Sequence, residues 1–275
     1  MLVTRVHRGE ARRQPDELIV EEPMSIQIDG TLVSTTMRTP GNDFELAAGF
    51  CYTDGLLAGA PVNGVRYCAT GSAVDTKFNV VTVETGGRAP VPVPRLTTTS
   101  SSCGLCGSAS LDELAARLTP LPVDQVQLPS LDVIAGIADR VIGTQSLFNQ
   151  TGSVHAAAAF TADGTVLVTR EDVGRHNAVD KIVGRLLLDG ALPAHNLSLF
   201  VSGRASFEII QKAWAAGFAA VVAVSAPTSL AVQTAREAGM MLVGFLRGDR
   251  FNVYAPERLG PSQATAESQP LASTV

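Results

Sequence analysis

No stretch of this 275-residue chain reaches the ~18 consecutive apolar residues that a membrane-spanning helix needs. Its first residues, Met1-Leu2-Val3-Thr4-Arg5-Val6-His7-Arg8, lack the apolar segment of a secretion signal. A cytoplasmic location without a membrane partner is therefore expected. A basic excess is also missing: the net charge of −5 offers no global field for nucleic acid, although it leaves room for a local cationic pocket. Charged residues make up only 17% and hydrophobic ones 45%, which excludes a disordered chain and permits a sizeable core. Cysteine is scarce. The four, Cys51, Cys68, Cys103 and Cys106, are expected as thiols in a reducing compartment. Only Cys103-Gly104-Leu105-Cys106 has two-residue spacing, and no second such pair exists to close a four-ligand zinc site. No tightly bound zinc is expected.

What is present divides the chain. Residues 1–16, polar and basic, read as a flexible arm. Residues 17–128 read as a smaller β-rich domain. Leu18–Val20, Met24–Ile28 and Thr31–Met37 are expected strands, the last two flanking an Asp29-Gly30 hairpin turn. Asp43–Leu57 reads as a helix after Pro40-Gly41-Asn42, and Asn79–Val83 as another strand. Pro90 to Ser102 alternates proline, then threonine and serine; it suits a loop that delivers Cys103, with a helix expected over Leu111–Leu118. Residues 129–258 alternate helix and strand: helices over 134–142, 175–188, 206–216 and 228–238, strands over 154–160, 166–169, 197–201, 219–224, 241–245 and 251–254. This pattern predicts a largely parallel sheet with helices on its faces and ligands at the carboxyl ends of its strands. Residues 259–275 read as a disordered tail.

Five segments carry groups able to do chemistry. The Cys103/Cys106 pair supplies a nucleophilic, soft thiolate flanked by serine and glycine; acyl or sulfur carriage, a redox pair and a zinc half-site all use such spacing. Cys51 and Cys68 read as core cysteines. His155, in Gly152-Ser153-Val154-His155-Ala156-Ala157, is either a core histidine or a site group. A zinc deaminase would need Glu where Ala157 stands, and there the cysteine pair follows the histidine instead of preceding it. Glu171-Asp172-Val173-Gly174-Arg175-His176-Asn177-Ala178-Val179-Asp180-Lys181 reads as the polar wall of a pocket at a helix start. Ser202-Gly203-Arg204-Ala205-Ser206-Phe207-Glu208 and Ser225-Ala226-Pro227-Thr228-Ser229 both join strands to helices, where unpaired N–H groups favour anions. Arg247 and Arg250 lie on the last turn. The ligand implied carries phosphates.

These segments, with Arg38–Leu46 and Gly244–Arg247, resemble in order and spacing those of the FdhD family of formate dehydrogenase accessory sulfurtransferases. The resemblance covers about Arg38 to Arg258. It implies an α/β chain, α+β overall, with a cytidine deaminase-like three-layer sheet domain and no zinc. It implies sulfane sulfur carried as a persulfide on Cys103, assisted by Cys106, from a cysteine desulfurase to the bis-molybdopterin guanine dinucleotide cofactor of formate dehydrogenase. The guanine nucleotide part of that acceptor is then expected at Phe245, Leu246, Arg247, Gly248, Asp249 and Arg250, with Ser202, Gly203, Arg204, His155 and His176 holding its phosphates or tuning proton supply. A homodimer is also implied. The rival readings are a chaperone that binds and hands over the cofactor without carrying sulfur, and a zinc nucleobase deaminase.

Overall fold

In the computed structural model, residues 1–68, 72–91, 118–122 and 126–257 are described. Cys103, Cys106, residues 92–102 of the proline- and serine-rich loop, all but the last residue of the helix expected over Leu111–Leu118 and the C-terminal tail lie outside them.

The chain opens with an antiparallel hairpin of β1 (Leu2–His7) and β2 (Glu10–Pro15) instead of a loose arm. Its exposed residues alternate without an apolar face, so polarity alone suggested an arm. Leu18–Val20 forms no strand. A four-stranded sheet follows, in the order β4-β3-β6-β5, from β3 (Glu22–Ile28), β4 (Thr31–Arg38), β5 (Gly64–Tyr67) and β6 (Val80–Glu84). The β3–β4 turn is as the sequence predicts: Asp29 and Gly30 have φ of 48° and 86°, the left-handed pair a tight hairpin demands. The Asp29 carboxylate also accepts the amides of Thr85, Gly86 and Gly87, fastening this turn to the end of β6. Alternating Met24, Ile26 and Ile28 bury one face of the sheet with Val81, Val83 and the underside of α1 (Asp43–Thr53).

The larger sheet has six strands in the order β12-β11-β10-β9-β7-β8: β7 (His155–Thr161), β8 (Val166–Asp172), β9 (Leu197–Val201), β10 (Ala220–Ala223), β11 (Met241–Arg247) and β12 (Arg250–Ala255). Only β9–β10 and β10–β11 pair in parallel; the other three pairings are antiparallel. The sheet is therefore mixed, not largely parallel. Hairpins at both ends account for the difference, because neither contains the crossover helix that parallel strands require.

Helices cover both faces. On one lie α4 (Arg175–Leu188), α5 (Phe207–Ala216) and α6 (Ser229–Ala238), with Val179, Ile182, Ile209, Ala213, Ala231 and Ala235 over Ala157, Leu199 and Val221. On the other lies α2 (Leu131–Ile142), whose Ile134, Ile137 and Val141 recur at helical spacing and meet Phe160, Phe200 and Val222. A short α3 (Ser146–Thr151) follows; its amides at Leu147 and Phe148 donate to Glu171 at 2.9 and 2.8 Å. Three layers result. Residues 118–122 pack with them: Trp214 Nε1 donates to the Thr119 carbonyl at 2.8 Å, and Leu121 joins the core.

The smaller sheet is joined to the larger through α1 against α4. Buried charges stitch the joint. Lys212 Nζ lies 2.9 Å from Asp180, 3.2 Å from Asp54 and 2.9 Å from the Thr53 hydroxyl. Burial opposes a charge on Lys212, but the Asp180 and Asp54 carboxylates outweigh it and raise its pKa. Arg170 grips Glu45 with both Nε and Nη2, at 2.5 and 2.7 Å.

Candidate functional site

Strand direction gathers the candidate segments. β9 and β10 run parallel, so the loops after them open at the same end of the sheet. β7 is antiparallel to β9, which brings its first residue, His155, to that end; β8 returns antiparallel to β7, placing Asp172 opposite His155. α4 and α5 start there. Residues widely separated in sequence thus share one rim.

The Ser202 and Ser225 loops lie side by side, joined by a parallel bridge between Ala205 and Pro227 and by the Thr228 amide on the Ala205 carbonyl at 3.1 Å. Gly244 explains how the second loop reaches β11. A Cβ there would meet Pro227 Cδ at 2.9 Å and the Ser225 carbonyl at 3.3 Å, so only glycine admits the loop this closely. The next residue, Phe245, takes φ of 56° and is 45% exposed. A bulky side chain in the left-handed region is a strained arrangement of the kind found at ligand sites. A register shift between Gly244 and Arg247 accompanies it. Leu246 is buried in the core, whereas Gly248, Asp249 and Arg250 are exposed on the turn into β12. Arg247 holds backbone: its Nη1 donates to the carbonyls of Val224 at 2.7 Å and Leu246 at 2.9 Å.

Around β7 and β9 the chemistry is denser. The Ser202 hydroxyl accepts the Ala156 amide at 2.9 Å and stands 3.4 Å from His155 Nδ1. Burial first, then the charges of Arg175 and His176, hold the His155 imidazole below its ordinary pKa, against an opposing pull from Asp172. His176 is buried, with Nε2 2.5 Å from Glu208 and 3.4 Å from the Ser206 hydroxyl. Arg204 is exposed beside them.

The wall expected over Glu171–Lys181 divides into two parts. Asp172, Asn177, Asp180 and Lys181 are buried and structural. Lys181 Nζ bonds Asp172 at 2.7 Å and the Thr39 carbonyl at 3.0 Å, Asp172 accepts the amides of Thr39 and Gly174, and Asn177 donates to the Met37 carbonyl at 2.8 Å. These bonds anchor the end of β4 to the start of α4. Arg175 and His176 alone of this run belong to the rim. Glu208 closes the strand-to-helix segment that begins at Ser202, and the sequence assigns it no role; its pairing with His176 is a tertiary contact.

Cys51 and Cys68 are both in the interior, and burial raises the Cys51 thiol pKa. Cys103 and Cys106 fall outside the described residues. Among the described residues no group of three His, Cys, Asp or Glu could hold a metal ion, and no helix is long and apolar enough to cross a membrane.

Fold and rim together define an α/β protein with imidazole, guanidinium and hydroxyl groups at the carboxyl ends of its central parallel strands. A profile of the FdhD/NarQ family matches residues 19–259. The chain belongs to that family. It is similar to the sulfur carrier protein FdhD of Streptomyces avermitilis, 49% identical over 93% of each chain. It is similar also to that of Nocardia farcinica, 51% identical over 90% of this chain and 88% of the relative. A formate dehydrogenase accessory protein from Desulfotalea psychrophila, solved by crystallography, shares the fold with a TM-score of 0.73, at 24% identity over 94% of this chain and 97% of that one.

Proposed function

We propose that the chain is a sulfur carrier in the maturation of formate dehydrogenase, holding sulfane sulfur as a persulfide on Cys103. The observation that carries this reading is the name and closeness of its relatives: sulfur carrier proteins about half identical along nine-tenths of the chain. The cysteines are consistent with it. Two of the four are core residues, Cys51 with a thiol that burial disfavours as a thiolate, which leaves Cys103 and Cys106 for thiol chemistry.

In the first step the Cys103 thiolate attacks the terminal sulfur of a cysteine desulfurase persulfide. A sulfur–sulfur bond forms to Cys103, the donor's sulfur–sulfur bond breaks, and the donor leaves as a thiolate. In the second step the Cys106 thiolate attacks the Cys103 sulfur: a Cys103–Cys106 disulfide forms, the bond to the terminal sulfur breaks, and that sulfur leaves at the sulfide level for the bis-molybdopterin guanine dinucleotide cofactor, bound as acceptor substrate. Cys106 is the assisting thiol. The rim supports an acceptor of this kind: an exposed aromatic ring at Phe245 for a base, and anion-friendly loops at Ser202–Ser206 for phosphates.

Incubation with a persulfide donor, followed by mass spectrometry, tests the assignment. A Cys103 peptide gains about 32 Da per sulfane sulfur and Cys103→Ala gains none. Undiminished labelled sulfur on the Cys103→Ala protein overturns the assignment to Cys103, and no sulfur gain on the wild-type protein overturns the carrier reading in favour of a cofactor-handing chaperone.

A further inference from the structure

Resting on the sulfur-carrier reading, we propose that the hairpin of β1 and β2 is the docking element for the protein that presents the donor persulfide, and that it binds an acidic surface of that partner.

The hairpin stands apart from the rest of the fold. It forms a two-stranded sheet of its own, and every residue from Met1 to Pro15 except Val3 and Gln14 is exposed. None of its residues joins the hydrophobic clusters that pack the two larger sheets. Two strands without a covering layer are marginally stable in water.

Its charge is opposite to that of the remainder. Residues 1–15 hold Arg5, Arg8, Arg12 and Arg13 against one acid, Glu10, which gives +3 in a chain of −5, so the rest of the chain carries −8. The register sets two of these cations against each other. Arg5 lies directly opposite Arg12, on the face that also holds the Val3–Gln14 and His7–Glu10 pairs. Like charges in such a cross-strand pair are destabilising. Arg12 Nη2 is 3.0 Å from Glu10 and Arg5 Nη2 is 3.6 Å from Asp16, but both pairs are open to solvent and offset little. Arg13 is on the other face, between the Leu2–Pro15 and Val6–Ala11 pairs. Arg8 takes the turn with φ of 50° before Gly9 at 85°, a seat that favours Asn or Asp. Among the described residues no carboxylate pairs with Arg8 or Arg13. Guanidinium groups thus stand on both faces and on the tip, with a mutual repulsion that an acidic partner offsets.

The company these charges keep points to the class of partner. A polyanion such as duplex nucleic acid would be repelled by the −8 of the remaining chain. A lipid surface calls for interfacial aromatic rings or a continuous apolar face beside the cations. Residues 1–21 contain no Phe, Trp or Tyr, and Leu2 and Val6 are interrupted by Thr4 and Arg13. Arginine interleaved with aliphatic groups, without lysine, suits a contact with protein. The carrier reading requires such a contact in its first step, where the persulfide arrives on a protein; in the second step the acceptor is a cofactor. Opposed charges at the edge of such a contact act mainly on the rate of encounter.

Loading of Cys103 by a persulfide-loaded cysteine desulfurase, timed by mass spectrometry of the full-length protein, tests this. At about 50 mM NaCl the triple variant Arg5→Ser/Arg12→Ser/Arg13→Ser should load roughly tenfold more slowly than the wild type, and at about 500 mM the two rates should converge. Lysine at the same three positions should restore most of the rate. Glutathione persulfide, a donor without a protein surface, should load all three proteins alike. Circular dichroism checks that the variants are folded. Equal rates from the desulfurase at low salt in wild type and folded serine variant overturn the docking role and leave the carrier reading standing. Equal slowing of the variant with both donors also overturns it, because the hairpin then acts on Cys103 itself. Binding of duplex DNA by the wild type that the serine variant loses overturns an acidic protein as the partner. Absence of sulfur on wild-type Cys103 with both donors overturns the carrier reading and the docking role together.

Discussion

Gly49 of α1 and Gly184 of α4 each abut the other helix's backbone. A Cβ on Gly49 would lie 1.9 Å from the Asp180 carbonyl oxygen, and one on Gly184 would lie 1.8 Å from that of Glu45. The two sheets are joined by helices in backbone contact, and no side chain fits between them. Gly184→Ala is therefore expected to destabilise the protein by about 3 kcal/mol or more, since backbone on both sides must move. Urea denaturation checks this. A loss under ~1 kcal/mol would show that the helices separate easily.

The same joint shows what was legible in the sequence. Helix α4 was expected over Arg175–Leu188 and forms there, because Gly174 precedes an apolar helical stripe and Asp189-Gly190 ends it. β9 was expected over its observed residues for a similar reason: a run of apolar residues bounded by turn formers. β5 and α3 were missed. Four half-exposed residues and six polar-rich ones carry too little periodicity to register. The sheet's mixed direction was hidden because strand orientation is a tertiary property. At the rim, the strand-to-helix placement of Ser202, Gly203 and Arg204 and the strand under His155 were legible, whereas Phe245 was pointed to only by the family resemblance. Their partners were not: nothing in the sequence pairs His176 with Glu208, or sends Asp180 to Lys212 instead of to His176 four residues before it.

Lys212 is the cation of the buried joint, shared by Asp180, Asp54 and Thr53. Lys212→Met leaves two interior carboxylates without a counter-charge. A loss of about 3–5 kcal/mol is expected, as for other buried pairs broken on one side. Adding Asp180→Asn removes the more buried of the two carboxylates and should recover part of that loss. If the double variant is as unstable as Lys212→Met, the ammonium matters for packing and not for charge, and denaturant midpoints distinguish the two cases.

His155 sets a pH dependence. It faces Ser202 and Gly203 from the β9 loop, Arg175 and His176 from α4, and Asp172 from β8. Burial first, then the neighbouring Arg175 and His176, lower its pKa in the folded state from the ordinary 6.5. Between the lowered value and 6.5 the unfolded chain binds more protons than the native one. Its contribution to stability is therefore intact above about pH 6.5 and falls as pH drops through the window below it. His155→Gln should flatten this fall. Melting temperatures recorded at about pH 7.5 and about pH 5.5 test it; equal acid sensitivity in variant and wild type would place the titration elsewhere.

Phe245 combines a strained backbone with the base contact proposed above. Its φ of 56° disfavours any side chain with a Cβ, yet the ring is 45% exposed and so gains little from burial. A residue held this way for stability would be better replaced by glycine, which adopts the same backbone at no steric cost. Phe245→Gly should therefore leave stability unchanged or raise it by up to about 1 kcal/mol. The same variant should weaken guanine-nucleotide binding roughly fivefold or more, because stacking a base on an aromatic ring contributes ~1–3 kcal/mol. Phe245→Ala separates the two effects: it loses the ring but keeps the strain, so binding falls equally without the gain in stability. A Phe245→Gly protein destabilised by more than ~2 kcal/mol would mean that the ring packs the turn and does not present itself to a ligand. Opposite signs for stability and binding are what a strained recognition residue requires, because its conformational cost is borne in the free protein and offset only in the complex.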